Sequence, residues 1–277
     1  MNPCILFRQD RDFDQDELNI ARLHFPVYRY RSEVPQNSLV VGRNSVLPYY
    51  NELSNDLWFD GSRLINSVDE HNFVANVGEY SSVLGDMTFR TWTWDEYVRS
   101  AYEGPVVLKG ATNSKKRLWK THMFAQDREQ AILTMLRLQD DDLVAGQGIY
   151  VRQFVPLVTY GDNVVGCPIT EEYRLFMYRD QVLCRGYYWS SNLEDLDVAP
   201  DPYSIPSQFI KQATDLFQVS RCPDAYVMDV ARAENGRWWV VELNSIQMSG
   251  LSDCNPDELY RNLRQAIDND ISSGKIS

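Results

Sequence analysis

Apolar and polar positions along this chain switch repeatedly between a period of two and a period near 3.6, so strands and helices interleave over most of its length. Residues Ser38 to Val41 are a compact apolar run ending at Gly42, which predicts a short buried strand. Leu47 to Leu57 reads as a helix begun near Ser45, with Pro48 in the first turn, where a missing N–H is tolerated. Arg63 to Asn66 predicts a second strand, and Phe73, Val77, Tyr80 and Leu84 mark a helix over Asp69 to Leu84 broken by Gly78. Strands alternating with helices in this way favour a parallel sheet.

Beyond residue 90, Thr93 and Glu96 form a capping box for a short helix over Asp95 to Ala101, while Trp92 and Trp94 read as packing residues. Val106 to Lys109 is a compact strand, followed by a polar, basic loop from Gly110 to Lys120. A helix begins at Asp127, with Gln130 completing its cap and Ala131, Met135 and Leu138 in one stripe flanked by Ile132 and Leu136. Ile149 to Val155 alternates as a strand that Pro156 stops. Glu172 to Tyr178 and Gln181 to Tyr188 pair around Arg179-Asp180, and Asn192 to Pro206 is an acidic surface loop. Ser207 to Val219 packs Phe209, Ile210, Ala213 and Phe217 from one helix face, and Asn255 caps a last helix reaching Asn269.

The stretch from Tyr226 to Gly250 carries the candidate chemistry. Val-, Trp- and Tyr-rich runs flank Asn235-Gly236, the signature of a type I′ hairpin with two positive-φ residues. That turn sets Asp229 directly across from Glu242, with Asn244 on the same face. Like charges opposed across strands are destabilising. Two readings follow: a hard divalent cation such as Mg²⁺ offsets the repulsion, or the acidic pair lies at a solvated sheet edge.

Composition narrows these readings. The chain has 277 residues, is 44% hydrophobic and has a net charge of −12, which argues against a general nucleic-acid or anionic-membrane binder. Of its few lysines, Lys109, Lys115, Lys116 and Lys120 crowd into one segment free of acids; such an island is either a solvated basic loop or the local seat of a polyanion such as a triphosphate. The five cysteines are scattered and read as reduced thiols. With no apolar run of membrane-spanning length and no secretory signal, a cytoplasmic location is expected.

Taken in order, a strand-borne lysine, a basic loop, the segment Tyr150 to Pro156, Glu172 to Phe176, and a late Asp followed by Glu-x-Asn resemble the ATP-grasp superfamily. With the stretch Leu64 to Ser67, the resemblance is to its small phage- and bacteria-associated single-chain clade of carboxylate–amine ligases, and it covers the chain from about Arg63 onward. It implies a mixed α/β (α+β) ATP-grasp fold with an N-terminal α/β pre-ATP-grasp subdomain over residues 1–90 and a nucleotide-binding, catalytic domain over 91–277. It also implies ATP and Mg²⁺ as cofactors and a small-molecule, peptide or protein substrate. Lys109 corresponds to the first phosphate lysine, and Lys116 or Lys120 to the second. Gln153, Phe154 and Val155 correspond to the adenine hinge, Arg174 to a contact with the γ-phosphate or acyl-phosphate, and Asp229, Glu242 and Asn244 to the metal set. Two departures concern the second substrate: Ser245 to Gly250 replaces the usual Pro-Gly, and Val227 stands where an arginine is common.

Alternative roles come from the residues themselves. Arg174 could form a surface ion pair with Glu171 or Glu172, Arg152 reads as structural, and His71 and His122 as satisfied polar residues. Ser249-Gly250 is either an oxyanion-binding backbone or a simple turn. A kinase acting on a hydroxyl, and a chaperone-like ATP binder, remain beside the ligase.

Overall fold

The computed structural model describes residues 1–7, 14–44, 49–191, 200–218 and 223–276. The expected helix start at Ser45 to Pro48, most of the acidic loop from Asn192, and Cys222 lie outside these residues.

The chain begins with β1 (Asn2–Phe7), α1 (Asp14–His24), β2 (Val27–Tyr28), β3 (Ser38–Arg43), α2 (Tyr50–Phe59) and β4 (Arg63–Leu64). The four strands form a parallel sheet in the order β2-β1-β3-β4. β1 and β3 read as unbroken apolar runs because both faces of this sheet are covered. Ile5, Phe7, Leu39 and Val41 enter a core shared with the last helix, whereas Cys4, Leu6 and Val40 pack with Tyr50, Leu53 and Leu57 of α2.

Two helices follow, α3 (Val68–Ala75) and α4 (Val77–Leu84), where the sequence suggested one helix broken at Gly78. The break is at Asn76, whose backbone is extended and whose side chain accepts a hydrogen bond from Gly78 N–H at 2.9 Å. Gly78 sits inside the first turn of α4. A Cβ there would collide with the Tyr150 ring, so close packing accounts for this glycine.

A small antiparallel sheet, β5-β8-β6-β7, is built from β5 (Thr91–Thr93), β6 (Val106–Gly110), β7 (Phe124–Ala125) and β8 (Ile149–Gln153), with α5 (Trp94–Arg99) and α6 (Arg128–Gln139) against it. Thr93 and Glu96 form the expected capping box. Only one face of α6 is covered: Ala131, Met135 and Leu138 are buried, but Ile132 and Leu136 point outward, at 46% and 54% exposed. The Gln130 side chain accepts from Gln126 N–H, one position before the N-cap Asp127.

β9 (Thr159–Asp162) and β10 (Pro168–Thr170) form a separate two-stranded hairpin that the sequence pattern did not reveal. The largest sheet, β12-β11-β13-β14, comprises β11 (Glu172–Tyr178), β12 (Gln181–Tyr187), β13 (Ala225–Arg232) and β14 (Trp238–Ser245). One face carries Tyr173, Leu175, Met228 and Val230 onto α3, α4 and α7 (Ser207–Gln218), with Phe209, Ile210, Ala213 and Phe217 of α7 facing them. The other carries Phe176 and Val227 onto α8 (Pro256–Ser272), which Asn255 caps as expected, and onto the parallel sheet.

The β13–β14 hairpin differs from expectation at its tip. Ala233 N–H donates to Arg237 O at 2.8 Å, closing a three-residue loop in which only Gly236 has positive φ, +82°. This is a turn followed by a glycine bulge, not a type I′ turn. By itself it would displace the pairing by one residue. Val241 is extra on β14, however, and below it Asp229 faces Glu242. The carbonyl of that bulged residue accepts from Arg152 Nη1 at 2.7 Å, which satisfies a group the ladder leaves over.

Candidate functional site

Asp229 and Glu242 face each other on neighbouring strands, and Arg174 of β11 lies directly across from Asp229 on its other side. Arg174 Nε and Nη2 donate to the two Asp229 oxygens at 2.8 and 2.7 Å, and its Nη1 donates to Gly250 O at 2.8 Å. The surface pair with Glu171 or Glu172 does not form. Arg174 is buried, and Glu171 is taken by Arg232 at 2.6 Å. A bidentate pair around an inaccessible Asp229 is geometrically stringent. Lys109, delivered by the end of β6, donates to Glu242 Oε1. Burial alone would raise the Glu242 carboxyl, but Lys109 and Lys116 outweigh it and hold the group down at about 2.

Glu172, at the start of β11, is a third buried acid of this cluster that sequence reasoning passed over. Its Oε2 accepts from Thr170 Oγ1 at 3.0 Å while its Oε1 is buried without a partner. Desolvation raises its carboxyl, and nearby Asp229 and Glu242 add to the rise against the pull of Lys116. A carboxyl in this condition is an acceptor awaiting a donor or a cation. The sequence marks Glu172 only as part of the segment Glu172 to Phe176 and as a candidate partner of Arg174, not as a member of the acidic cluster.

The basic segment is divided by the fold. Lys109 and Lys116 reach the cluster; Lys116 donates to Tyr188 Oη at 2.7 Å. Lys115 pairs instead with Asp141 at 2.7 Å, and Lys120 is exposed and lies against Gly166 of the β9–β10 hairpin, outside the cavity lining. What reads as a loop in sequence contains a 3₁₀ turn over Lys116–Leu118 and a π-helical turn over Trp119–Met123.

A cavity of about 330 Å³ joins these charges to an apolar slot. Glu172, Glu242, Lys109 and Lys116 line it together with Phe89, Trp119, Met123, Phe154 and Leu157. Gln153, Phe154 and Val155 border it where β8 ends, so the expected hinge and phosphate residues open on one space. The segment after β8 is braced by the hairpin tip: Leu157 bridges Ala233, and Glu234 N–H donates to Pro156 O at 3.1 Å. Arg152 also lines the cavity, and its guanidinium binds Val241 O and Thr88 Oγ1.

Asn244 follows Glu242 but pairs across from Val227 and is half-buried. Among the described residues no three His, Cys, Asp or Glu side chains form a metal cage of their own. Glu242, the amide of Asn244 and the free Glu172 oxygen nevertheless suit Mg²⁺, which takes one or two carboxylates and completes its shell from phosphates and water, whereas both Asp229 oxygens are engaged by Arg174. The loop after Asn244 is held from both sides. Arg43 donates to Ile246 O and, at 2.9 Å, to Ser249 O, while Gly250 O is the acceptor for Arg174. In Ser249-Gly250 it is therefore carbonyls, as acceptors, that are engaged. His71 is fully buried with Nε2 unpartnered, unlike the satisfied residue expected, and burial lowers its pKa to about 4. His122 Nδ1 lies 2.8 Å from Thr121 Oγ1. Cys4, Cys167, Cys184 and Cys254 are free thiols. No helix among the described residues is long and apolar enough to cross a membrane.

A family of ATP-grasp domains, the third family of its clade, matches residues 90–263. No curated protein gives a significant match in sequence. Among solved structures, the ATP-grasp ligase PsnB complexed with a minimal precursor matches with a TM-score of 0.56 at 14% identity, over 97% of this chain and 99% of that one. D-cycloserine synthetase DcsG matches at 0.58 and 12%, over 96% and 99%. D-alanine–D-alanine ligase from Bacillus anthracis matches at 0.61 and 12%, over 99% of both chains. At such identities the likeness is one of fold.

Proposed function

The chain belongs to this ATP-grasp domain family, and on that premise we propose that it is an ATP- and Mg²⁺-dependent ligase joining a carboxylate to an amine through an acyl-phosphate. The observation that carries this reading is the cavity itself: apolar residues at the end of β8 share one lining with Lys109, Lys116, Glu172 and Glu242, with the Arg174–Asp229 pair beside them. An adenine ring suits the apolar part of that lining and a polyphosphate with its cation the charged part. The division at residue 90, with the nucleotide-binding domain following it, is part of this reading and is supported by where the family match begins. Neighbours of the same fold include a ligase solved with a precursor peptide and a D-alanine–D-alanine ligase, which favours an amino acid or peptide as substrate.

In this reading a substrate carboxylate oxygen attacks the γ-phosphorus, the bond to the β-phosphate oxygen breaks, and ADP leaves. The amine nitrogen then attacks the acyl carbon, the carbon–oxygen bond to phosphate breaks, and phosphate and a proton are released. The chain supplies position and charge, and no side-chain nucleophile is required. Lys109 and Lys116 hold the β- and γ-phosphates, and Arg174 stabilises charge on the transferring group. Lys120, exposed beside Gly166 and outside the cavity lining, would reach the phosphates only by closure of the basic segment over them. Asp229, Glu242 and Asn244 would hold Mg²⁺, which when bound neutralises phosphate charge. Backbone groups of Gln153 to Val155 read the adenine edge.

A screen of amino acids and short peptides for acceptor-dependent ADP release, with mass detection of the conjugate, tests the reading. A conjugate heavier by condensation supports it. Phosphate found on a hydroxyl would make the protein a kinase, and tight ATP·Mg²⁺ binding without consumption of ATP would make it a chaperone-like binder.

A further inference from the structure

Two cations of the candidate site converge on one aromatic ring. Lys116 Nζ lies 4.0 Å from the centroid of Tyr188 and donates to its hydroxyl at 2.7 Å, while Arg174 Cζ lies 4.9 Å from the same centroid. The neighbouring Trp189 stands edge-on to Tyr188, with Lys116 Nζ 5.1 Å from its ring. Both aromatics are tied down. Tyr188 N–H donates to Glu172 O at 2.9 Å, and Trp189 Nε1 donates to Thr170 Oγ1 at 3.1 Å, the same hydroxyl that binds Glu172.

Lys116 lies on a single 3₁₀ turn, and a lysine there has many rotamers. Held loosely beside Arg174 it would be driven off by like charge. A ring face attracts both ammonium and guanidinium, and the phenol oxygen adds an acceptor that phenylalanine lacks. Although burial opposes the Lys116 ammonium, the Tyr188 oxygen and the acids Glu172 and Glu242 outweigh it and keep the group charged.

We propose that Tyr188 is a positioning residue that presets Lys116 and Arg174 as a pair for the terminal phosphates. This rests on the nucleotide reading of the cavity. It adds to that reading a residue belonging to neither the phosphate lysines nor the metal carboxylates, and it sets which part of the nucleotide is discriminated.

The test is calorimetric affinity for ATP, ADP and AMP, each with Mg²⁺, in the wild type, Tyr188→Phe and Tyr188→Leu. Tyr188→Leu removes ring and hydroxyl; ATP affinity is expected to fall about tenfold, ADP affinity by less, and AMP affinity not at all. Tyr188→Phe, which keeps the ring, should lose about threefold for ATP and guards against a leucine variant that fails to fold. In the Lys116→Ala background the same substitution should cost clearly less, because one of the two groups it positions is gone. Equal losses for all three nucleotides, or none for ATP, would overturn the positioning role while leaving the nucleotide site standing. A wild type that binds none of them would overturn both.

Discussion

Arg174 and Asp229 lie opposite each other on β11 and β13, and both carboxylate oxygens of Asp229 accept from the guanidinium, at 2.8 and 2.7 Å. Asp229 has no solvent contact. Arg174→Ala therefore leaves a buried carboxylate unpaired, a change that costs about 3–5 kcal/mol where it has been measured. Mg²⁺ can take over part of the guanidinium's role, so the variant's melting temperature should recover more on adding Mg²⁺ than the wild type's does. A variant as stable as the wild type without Mg²⁺ would show that the pair contributes little.

Lys109 is paired with Glu242 through one carboxylate oxygen. Lys109→Ala should weaken ATP·Mg²⁺ binding by about tenfold or more, one charge-assisted contact of this kind being worth about 1.5–3 kcal/mol. Thermal shifts make the check simple: the wild type should rise with ATP plus Mg²⁺ and much less with ATP plus EDTA. An equal rise without the metal would remove Glu242 and its neighbours from any metal role.

Base choice tests the other end of the cavity. Backbone carbonyls or the Gln153 side chain can accept from an adenine amino group, whereas guanine presents an oxygen at that position. ATP should therefore give a larger thermal shift than GTP. Comparable shifts would mean that the slot beside Phe154 and Leu157 does not hold the base as described.

His71 supplies a pH signature independent of any ligand. Burial lowers its pKa from 6.5 to about 4, so between these values the unfolded chain carries the proton and the folded chain does not. Stability from this group is complete above pH 6.5 and falls as the pH drops toward 4, with a slope of up to about 1.4 kcal/mol per pH unit. His71→Phe, which keeps a ring against Tyr50, should flatten that part of the stability profile. An unchanged slope in denaturant titrations at pH 4.5 and 7 would show that His71 is protonated in the fold.

Much of this was legible because period and caps are local. Thr93, Asp127 and Asn255 announce their helices through their own side chains, and the apolar faces of α7 and α8 follow from spacing alone. The opposition of Asp229 and Glu242 was reached by a different route. The expected two-residue turn is a three-residue loop, and its one-residue offset is undone by the bulge at Val241, which Arg152 holds from 89 positions away. No local pattern encodes that compensation. Glu172, Tyr188 and Arg43 escaped for the same reason, since their roles depend on partners brought in by the tertiary fold, as when Arg43 ties the parallel sheet to Ile246 and Ser249. Lys115 shows the converse: adjacent to Lys116 in sequence, it turns away to Asp141.

The hairpin of β13 and β14 reaches both groups of candidate residues at once, because Ala233, just past the end of β13, bridges Leu157 after the expected hinge while Asp229 lies four residues back along the chain. A strand rises about 3.3 Å per residue, so these landmarks stand roughly 13 Å apart along it. Paired on both sides and packed on both faces, β13 can neither stretch nor slip without turning every side chain to the wrong face. It is a gauge of fixed length. In the proposed reading a nucleotide seated at Gln153 to Val155 would be measured by it, and only one long enough to bring a phosphate to the carboxylates would engage both groups of residues.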